Sequence, residues 1–216
     1  MEIIPENIEN YISKYASGET NVLAELERYT HANVLLPNML SGKAQGIFLQ
    51  LFSAAVQPKY ILEIGTFTGY SAICLAKGLQ NGGQLFTIDV NEELESVAKK
   101  FWNKAGLEDK ITMLIGDAQI EIPKLDYPFD IVFIDADKKN YSLYYDLVIN
   151  KVKPNGFILA DNVLWKGKII NEQKDKDTEA LHLFNEKIAK DANVENVILS
   201  IRDGINIIRK KTTNEN

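Results

Sequence analysis

Two short segments in the second half of the chain carry oxygen and nitrogen groups at spacings that could do chemistry. One reads Phe133-Ile134-Asp135-Ala136-Asp137-Lys138-Lys139-Asn140-Tyr141, the other Leu159-Ala160-Asp161-Asn162. Each follows an apolar run of strand type, which puts its polar residues at a strand end. Asp135, Asp161 and Asn162 offer two carboxylates and one amide carbonyl. All are hard oxygen donors, the set that suits Mg²⁺, Mn²⁺ or Ca²⁺. Any one of them alone is as easily a turn former or a helix cap; three on adjacent strand ends favour a cation. Lys138 lies three residues past Asp135 and should face the same pocket, whereas Lys139 is turned away. Repulsion from a divalent cation would lower the Lys138 pKa and make its amine a general base. His31, His182 and the single Cys74 are too scattered for a zinc cluster.

A third segment, Glu63-Ile64-Gly65-Thr66-Phe67-Thr68-Gly69-Tyr70-Ser71, joins a strand to a helix. Gly65 and Gly69 let the backbone turn tightly and approach a ligand, and Ser71 stands in the helix's first turn, where amides attract anions. Glu63, a charge inside an apolar strand, requires a partner. Asp89 follows Gly69 by twenty residues and ends the next strand, where folds of this type place an acid on ribose hydroxyls. Glycine turn and acid together favour an adenosine-containing cofactor. NAD(H) is the rival, but its G-x-G-x-x-G fingerprint is absent, and Phe67 stands where a glycine would be. A ligand without a pyrophosphate, such as S-adenosylmethionine, suits this turn better.

The elements that must position these groups alternate along the chain. Strands are expected at Tyr60–Ile64, Gln84–Ile88, Ile111–Ile115, Ile131–Ile134 and Phe157–Ala160. Helices are expected between them at Tyr70–Leu79, Glu92–Ala105, Asp117–Leu125 and Tyr141–Lys151. This order implies an α/β, Rossmann-like fold: a mostly parallel sheet with helices on both faces, ligands binding at the carboxyl ends of its strands. A helix at Thr178–Lys190 is followed by Val194–Ile201 and Ile205–Arg209, split by Asp203-Gly204, a hairpin signal that makes the last strand antiparallel. Residues 1–56 read as helical, with breaks at Gly18 and Pro37 and a third helix at Ser41–Val56. Thr212–Asn216 reads as a disordered end. One domain spanning 1–216 is expected, with 1–56 as a helical cap or dimerisation segment and 57–211 as the catalytic core.

Length, 216 residues, fits that single domain, and 45% hydrophobic with 25% charged residues is a globular composition. The net charge of −6 disfavours a protein held on nucleic acid or an anionic membrane by its overall field, although Lys138–Lys139, Lys166–Lys168 and Arg209–Lys211 are local basic clusters. One cysteine permits no intrachain disulfide; the N-terminus lacks a signal-peptide pattern and no stretch is apolar enough to span a membrane. The cytoplasm is the default location.

Taken in order, E-I-G-T-F-T-G-Y-S at 63–71, Ile88-Asp89, Gly116-Asp117-Ala118, F-I-D-A-D-K-K-N-Y at 133–141 and A-D-N-V-L-W-K-G at 160–167 resemble the cation-dependent O-methyltransferases, the catechol and caffeoyl-CoA O-methyltransferase group. Asn38–Gly46 and Arg202–Lys210 extend the resemblance over essentially the whole chain. It implies a class I methyltransferase fold with a seven-stranded sheet, the cofactor S-adenosylmethionine, a divalent cation (Mg²⁺, or Mn²⁺ or Ca²⁺) and a homodimer. It also implies roles. Glu63, Gly65 and Ser71 would hold the methionine end of the cofactor, and the backbone of Met39 and Ser41 would cover it. Asp89 would bind the ribose, while Gly116, Ala118 and Gln119 border the adenine. Asp135, Asp161 and Asn162 would be the cation ligands, Asp135 also touching the cofactor, and Lys138 the base. Trp165 would line the acceptor pocket, or merely pack there. The acceptor implied is a small aromatic with vicinal hydroxyls. The rivals are methylation of a hydroxylated uridine in tRNA, as some bacterial members do, a dehydrogenase on a similar fold, and a binder without activity.

Overall fold

The computed structural model describes residues 3–212; most of the expected disordered end, 213–216, lies outside them. Three helices come first: α1 (Glu6–Tyr15), α2 (Asn21–Asn33) and α3 (Gly42–Val56). A 3-10 turn at Pro37–Met39 separates the last two. The strands β1 (Tyr60–Ile64), β2 (Gln84–Asp89), β3 (Ile111–Ile115), β4 (Phe129–Ile134) and β5 (Val152–Asp161) then alternate with helices α4 (Tyr70–Ala76), α5 (Glu95–Lys104), α6 (Ala118–Lys124) and α7 (Tyr141–Val148). Helix α8 (Lys176–Lys190) and strands β6 (Val194–Leu199) and β7 (Ile205–Lys210) close the chain. The seven strands lie in the order β3-β2-β1-β4-β5-β7-β6, with β7 antiparallel to both neighbours. The expected Rossmann-like sheet is therefore present. No helix among the described residues is long and apolar enough to cross a membrane.

Both faces of the sheet are covered, which is why its strands read as continuous apolar runs. Alternation sorts their side chains: Ile61, Ile131 and Phe133 pack with α2–α5, while Leu62, Val132 and Ile134 pack with α6–α8. Trp102 of α5 anchors the first of these layers. It is 1% exposed, and its indole N–H donates to the Gly69 carbonyl at 3.2 Å. Gly69 has a φ of +83°, and a Cβ there would lie 2.5 Å from the Trp102 indole nitrogen, so the turn before α4 and the tryptophan are mutually fitted.

Several boundaries differ from the sequence reading. β5 begins at Val152, five residues before the expected start, because a register shift opposite Phe129–Ile131 accommodates Pro154 and Asn155, residue types that favour turns. The expected helix at 92–105 is a 3-10 turn, Glu92–Leu94, followed by α5. Helix α4 stops at Ala76 and α7 at Val148, each three residues short. The segment 163–177 contains a kinked 3-10 stretch, Trp165–Ile170, with Lys166 and Gly167 left-handed.

Truncating Trp102 should leave a cavity in this layer. We expect Trp102→Ala to lower the unfolding free energy by about 3–5 kcal/mol, and Trp102→Phe by less, read from urea midpoints of the two variants.

Candidate active site

Strand order reverses between β1 and β4, because β2 and β3 extend to one side of β1 and β5 to the other. Their carboxyl ends diverge around one close contact. Gly65 has a φ of +101°, and a Cβ on it would sit 2.0 Å from the Asp135 carbonyl oxygen. The crevice beyond this contact opens into a cleft of about 1740 Å³. Every residue to which the resemblance gave a role lines that cleft except Glu63, which is fully buried in β1 behind it.

On the β1–β2 side, Asp89 braces the glycine turn. Its Oδ2 accepts the amides of Thr66 (2.9 Å) and Phe67 (2.8 Å), and its Oδ1 that of Asn91 (2.9 Å). Phe67 takes a φ of +48°, the left-handed conformation a glycine would supply. A carboxylate has about four acceptor positions, so Asp89 keeps capacity for a hydroxyl. Glu63 Oε2 accepts from the Thr87 hydroxyl at 2.6 Å, and Thr87 pairs with Thr66 at 2.6 Å. Among the described residues no hydrogen-bond partner meets the buried Glu63 Oε1. Desolvation pushes this carboxyl up to about 8, the Ser71 and Thr87 hydroxyls pull it down, and Asp135 and Asp89 repel its charge. A partnerless buried acceptor beside a glycine turn fits a cationic donor such as a ligand ammonium.

On the β4–β5 side, the Lys138 ammonium lies 3.0 Å from Asp135 Oδ1 and 2.7 Å from both Asn162 Oδ1 and the Tyr141 hydroxyl. Tyr141 in turn donates to the Asp161 carbonyl at 2.9 Å and so ties the ends of β4 and β5. Asp161 is 1% exposed. Burial and then Asp135 push its carboxyl up to about 7, against the lowering effect of a hydrogen bond from Gln45. Lys139, expected to turn away from the pocket, is exposed but also borders the cleft. Asp137 is held away by Tyr144 and Asn140 and does not join the group. Trp165, with a φ of +47°, has its ring 5.9 Å from Lys138 Nζ and faces the same cleft as the exposed Leu35, Leu36 and Met39.

The lowered pKa expected for Lys138 is not what these residues produce. Burial disfavours the ammonium, but the Tyr141 oxygen, Asp135 and Asp161 more than offset it and hold the lysine above its ordinary range. The expected lowering needs the charge of a cation on those oxygens. No group of three or more His, Cys, Asp or Glu among the described residues is placed to hold a metal. The oxygen set here is two carboxylates and an amide. Lys138 already sits on two of its three members, so the set attracts a positive charge. Gln45, Arg202, Tyr141 and Thr87 escaped the sequence reading. Only Gln45 left a signal, a polar residue at helical spacing with the inward Leu49.

A family model described as "O-methyltransferase" matches residues 12–211. "Probable caffeoyl-CoA O-methyltransferase 2" of Dictyostelium discoideum is 33% identical over 94% of this chain and 91% of its own length. The catechol O-methyltransferase of Niastella koreensis is 32% identical over 91% and 90%. Among solved structures, the O-methyltransferase from Bacillus cereus in complex with SAH superposes with a TM-score of 0.87 at 31% identity, covering 95% of this chain and 97% of the other. The sheet order and its switch-point cleft define a Rossmann-like methyltransferase. The chain belongs to the O-methyltransferase family, enzymes that depend on S-adenosylmethionine.

Two measurements test the geometry. Gly65→Ala must push the Asp135 backbone aside, so it should lower the Tm and, in whatever fraction folds, weaken SAH binding at least about tenfold, an estimate from the cost of strained backbone, read by thermal melts and calorimetry. For Glu63, the unfolded chain ionises near 4.3 and the folded chain near 8. Between these values the folded state holds the extra proton, so its stability falls as pH rises and levels off above about 8. In cofactor-free protein the Tm advantage of Glu63→Gln over wild type should therefore grow from pH 5 to pH 8. A constant difference would show that Glu63 does not titrate in this window.

Proposed function

We propose that the chain transfers the methyl group of S-adenosylmethionine to one hydroxyl of a small aromatic bearing vicinal hydroxyls, with a divalent cation, Mg²⁺ by preference, as helper. The observation that carries this reading is the approach of Asp135 and Asn162 to one positive group, Lys138 Nζ, beside the buried Asp161. Relatives named for caffeoyl-CoA and catechol support the acceptor class, and the SAH-bound relative supports the cofactor.

When bound, the cofactor supplies an electrophilic sulfonium methyl, and the cation supplies a Lewis acid that lowers the pKa of an acceptor hydroxyl. The chain's own residues do the rest. Glu63, whose buried Oε1 lies behind the cleft wall, would back the methionine end of the cofactor, with Gly65 and Ser71 alongside. Met39 and Ser41 cover the same end, Asp89 takes the ribose, and Gly116 and Ala118 border the base. Asp135, Asp161 and Asn162 would hold the cation. Lys138 keeps its proton while it faces Asp135 and Asp161 alone. Once those carboxylates are neutralised, the hold is relieved and the amine can take the proton of the acceptor hydroxyl. Trp165 and Met39 present apolar walls to the acceptor ring, fixing it against the methyl donor, and positioning of this kind supplies most of the rate.

We also propose that two copies associate. Helix α1 buries none of its residues, and Ile8, Tyr11, Ile12 and Tyr15 are all exposed on it.

The test is incubation with S-adenosylmethionine and a panel of catechols, with Mg²⁺ or with EDTA, read by mass spectrometry. We expect a methylated product that disappears with EDTA. Lys138→Ala should lower the rate by about 10²-fold or more, and Asp161→Asn should abolish both activity and cation dependence. An Asp161→Asn enzyme fully active in EDTA would refute the cation reading. Absence of product with every catechol would refute the acceptor class, and undermethylated tRNA would be tried next.

A further inference from the structure

Gln45 lies in the first turn of α3, outside the sheet, and is fully buried. The chemistry described above does not use it. Its Nε2 donates to Asp161 Oδ2 at 2.7 Å, joining residues 116 apart in sequence. Its Oε1 accepts from Arg202 Nη1 at 3.3 Å, and the same nitrogen donates to the Ser41 carbonyl. An amide side chain can present either end to a neighbour, but a guanidinium only donates. Arg202 therefore selects the orientation: carbonyl toward itself, NH₂ toward Asp161.

The other Asp161 oxygen, Oδ1, accepts the amide of Asn162 at 2.8 Å. The carboxylate is thus held at both oxygens by neutral donors, one from its own loop and one from α3. Each oxygen keeps a further lone pair for another partner. Arg202 itself has a φ of +49°, an uncommon backbone state for a side chain of this size. It is followed by the turn between β6 and β7, whose Gly204 and Asp203 carbonyls accept the amides of Val163 and Leu164, just past Asn162. Three parts of the chain remote in sequence meet on one carboxylate.

We propose that Gln45 is a positioning residue that aims Asp161, that Arg202 fixes Gln45, and that the two set the affinity of the candidate cation site. The inference rests on the cation reading given above. Groups that orient a metal ligand typically alter affinity by 10–100-fold when removed.

Isothermal titration of Mg²⁺ and of Mn²⁺ into SAH-loaded protein tests this without any turnover. Gln45→Met keeps the length and loses the donor. It should raise the cation Kd about tenfold or more while SAH affinity, measured in EDTA, stays within about twofold of wild type. Arg202→Met frees the amide to flip and should shift the cation Kd in the same direction; it also answers the question if the buried Gln45 variant fails to fold. If Gln45 only fills space, Met restores wild-type cation affinity, and that result in a folded variant overturns the proposal. Wild type that binds neither cation removes instead the reading on which the proposal depends, before any variant is compared.

Discussion

The contact between Gly65 and the Asp135 carbonyl sets the geometry of everything at the upper edge of the sheet. A side chain at 65 would meet that oxygen at 2.0 Å, so β1 and β4 can lie side by side to their last residues only because position 65 has none. From that point the two chains part, one into the glycine turn and the other toward Lys138. The Gly65 amide bonds the Ile88 carbonyl and the Asp135 amide bonds the Ile64 carbonyl, each at 2.9 Å, so β2, β1 and β4 end in register. Register at this edge brings Asp89, Asp135 and Asp161 to one cleft, with Glu63 buried behind it, although 98 residues separate Glu63 from Asp161. A one-residue slip in any of these strands would turn its acid to the opposite face.

Collecting carboxylates this way works against stability. Glu63 and Asp161 are both held above the ordinary carboxylate range, first by burial and then in part by the charge on Asp135. Lys138 is held above its ordinary range, because the Tyr141 oxygen, Asp135 and Asp161 together offset its burial. An edge so arranged favours cationic ligands: relief of a buried acid adds to whatever contacts the ligand makes. Under the function proposed above, the sulfonium and ammonium of S-adenosylmethionine and a divalent cation would bring positive charge to these acids. The strained backbone at Phe67, Asn162, Trp165 and Arg202 is gathered around the same cleft, in keeping with the tendency of strain to persist where surrounding structure enforces a functional shape.

Much of this was legible in the sequence because it depends on short-range pattern. The β1–β5 alternation, the hairpin at Asp203-Gly204 and the acids at strand ends each lie within one element and its turn. The misjudged boundaries have local causes too. Pro154 and Asn155 speak for a turn, and only pairing of Val152 with Phe129 across a register shift makes them strand. The electrostatic state of Lys138 was not legible, since its sign depends on how many acids lie within reach in space. Tyr141 and Thr87 look like packing until their hydroxyls are seen to span strands. Gln45 and Arg202 are the extreme case: 157 residues apart, they bear on a carboxylate that neither is near in sequence.

The helical segment ahead of the sheet then has a more definite place than a cap. Its α2 joins the glycine turn through the buried hydroxyl pair Thr30–Thr68 at 3.1 Å, and its α3 joins Asp161 through Gln45. The first link bears on the β1–β2 side of the cleft and the second on the β4–β5 side. Ser41, whose carbonyl Arg202 holds, lies between them and lines the cleft itself. Helices that buried apolar surface alone could shift against the sheet at small cost, because apolar contacts are not directional. Buried hydrogen bonds at both ends of the cleft remove that freedom, since breaking either would leave a desolvated polar group unpaired at a cost of about 1–3 kcal/mol. The segment is thereby fixed in orientation as well as in contact, and the two halves of the site keep a constant separation across which a methyl group could pass.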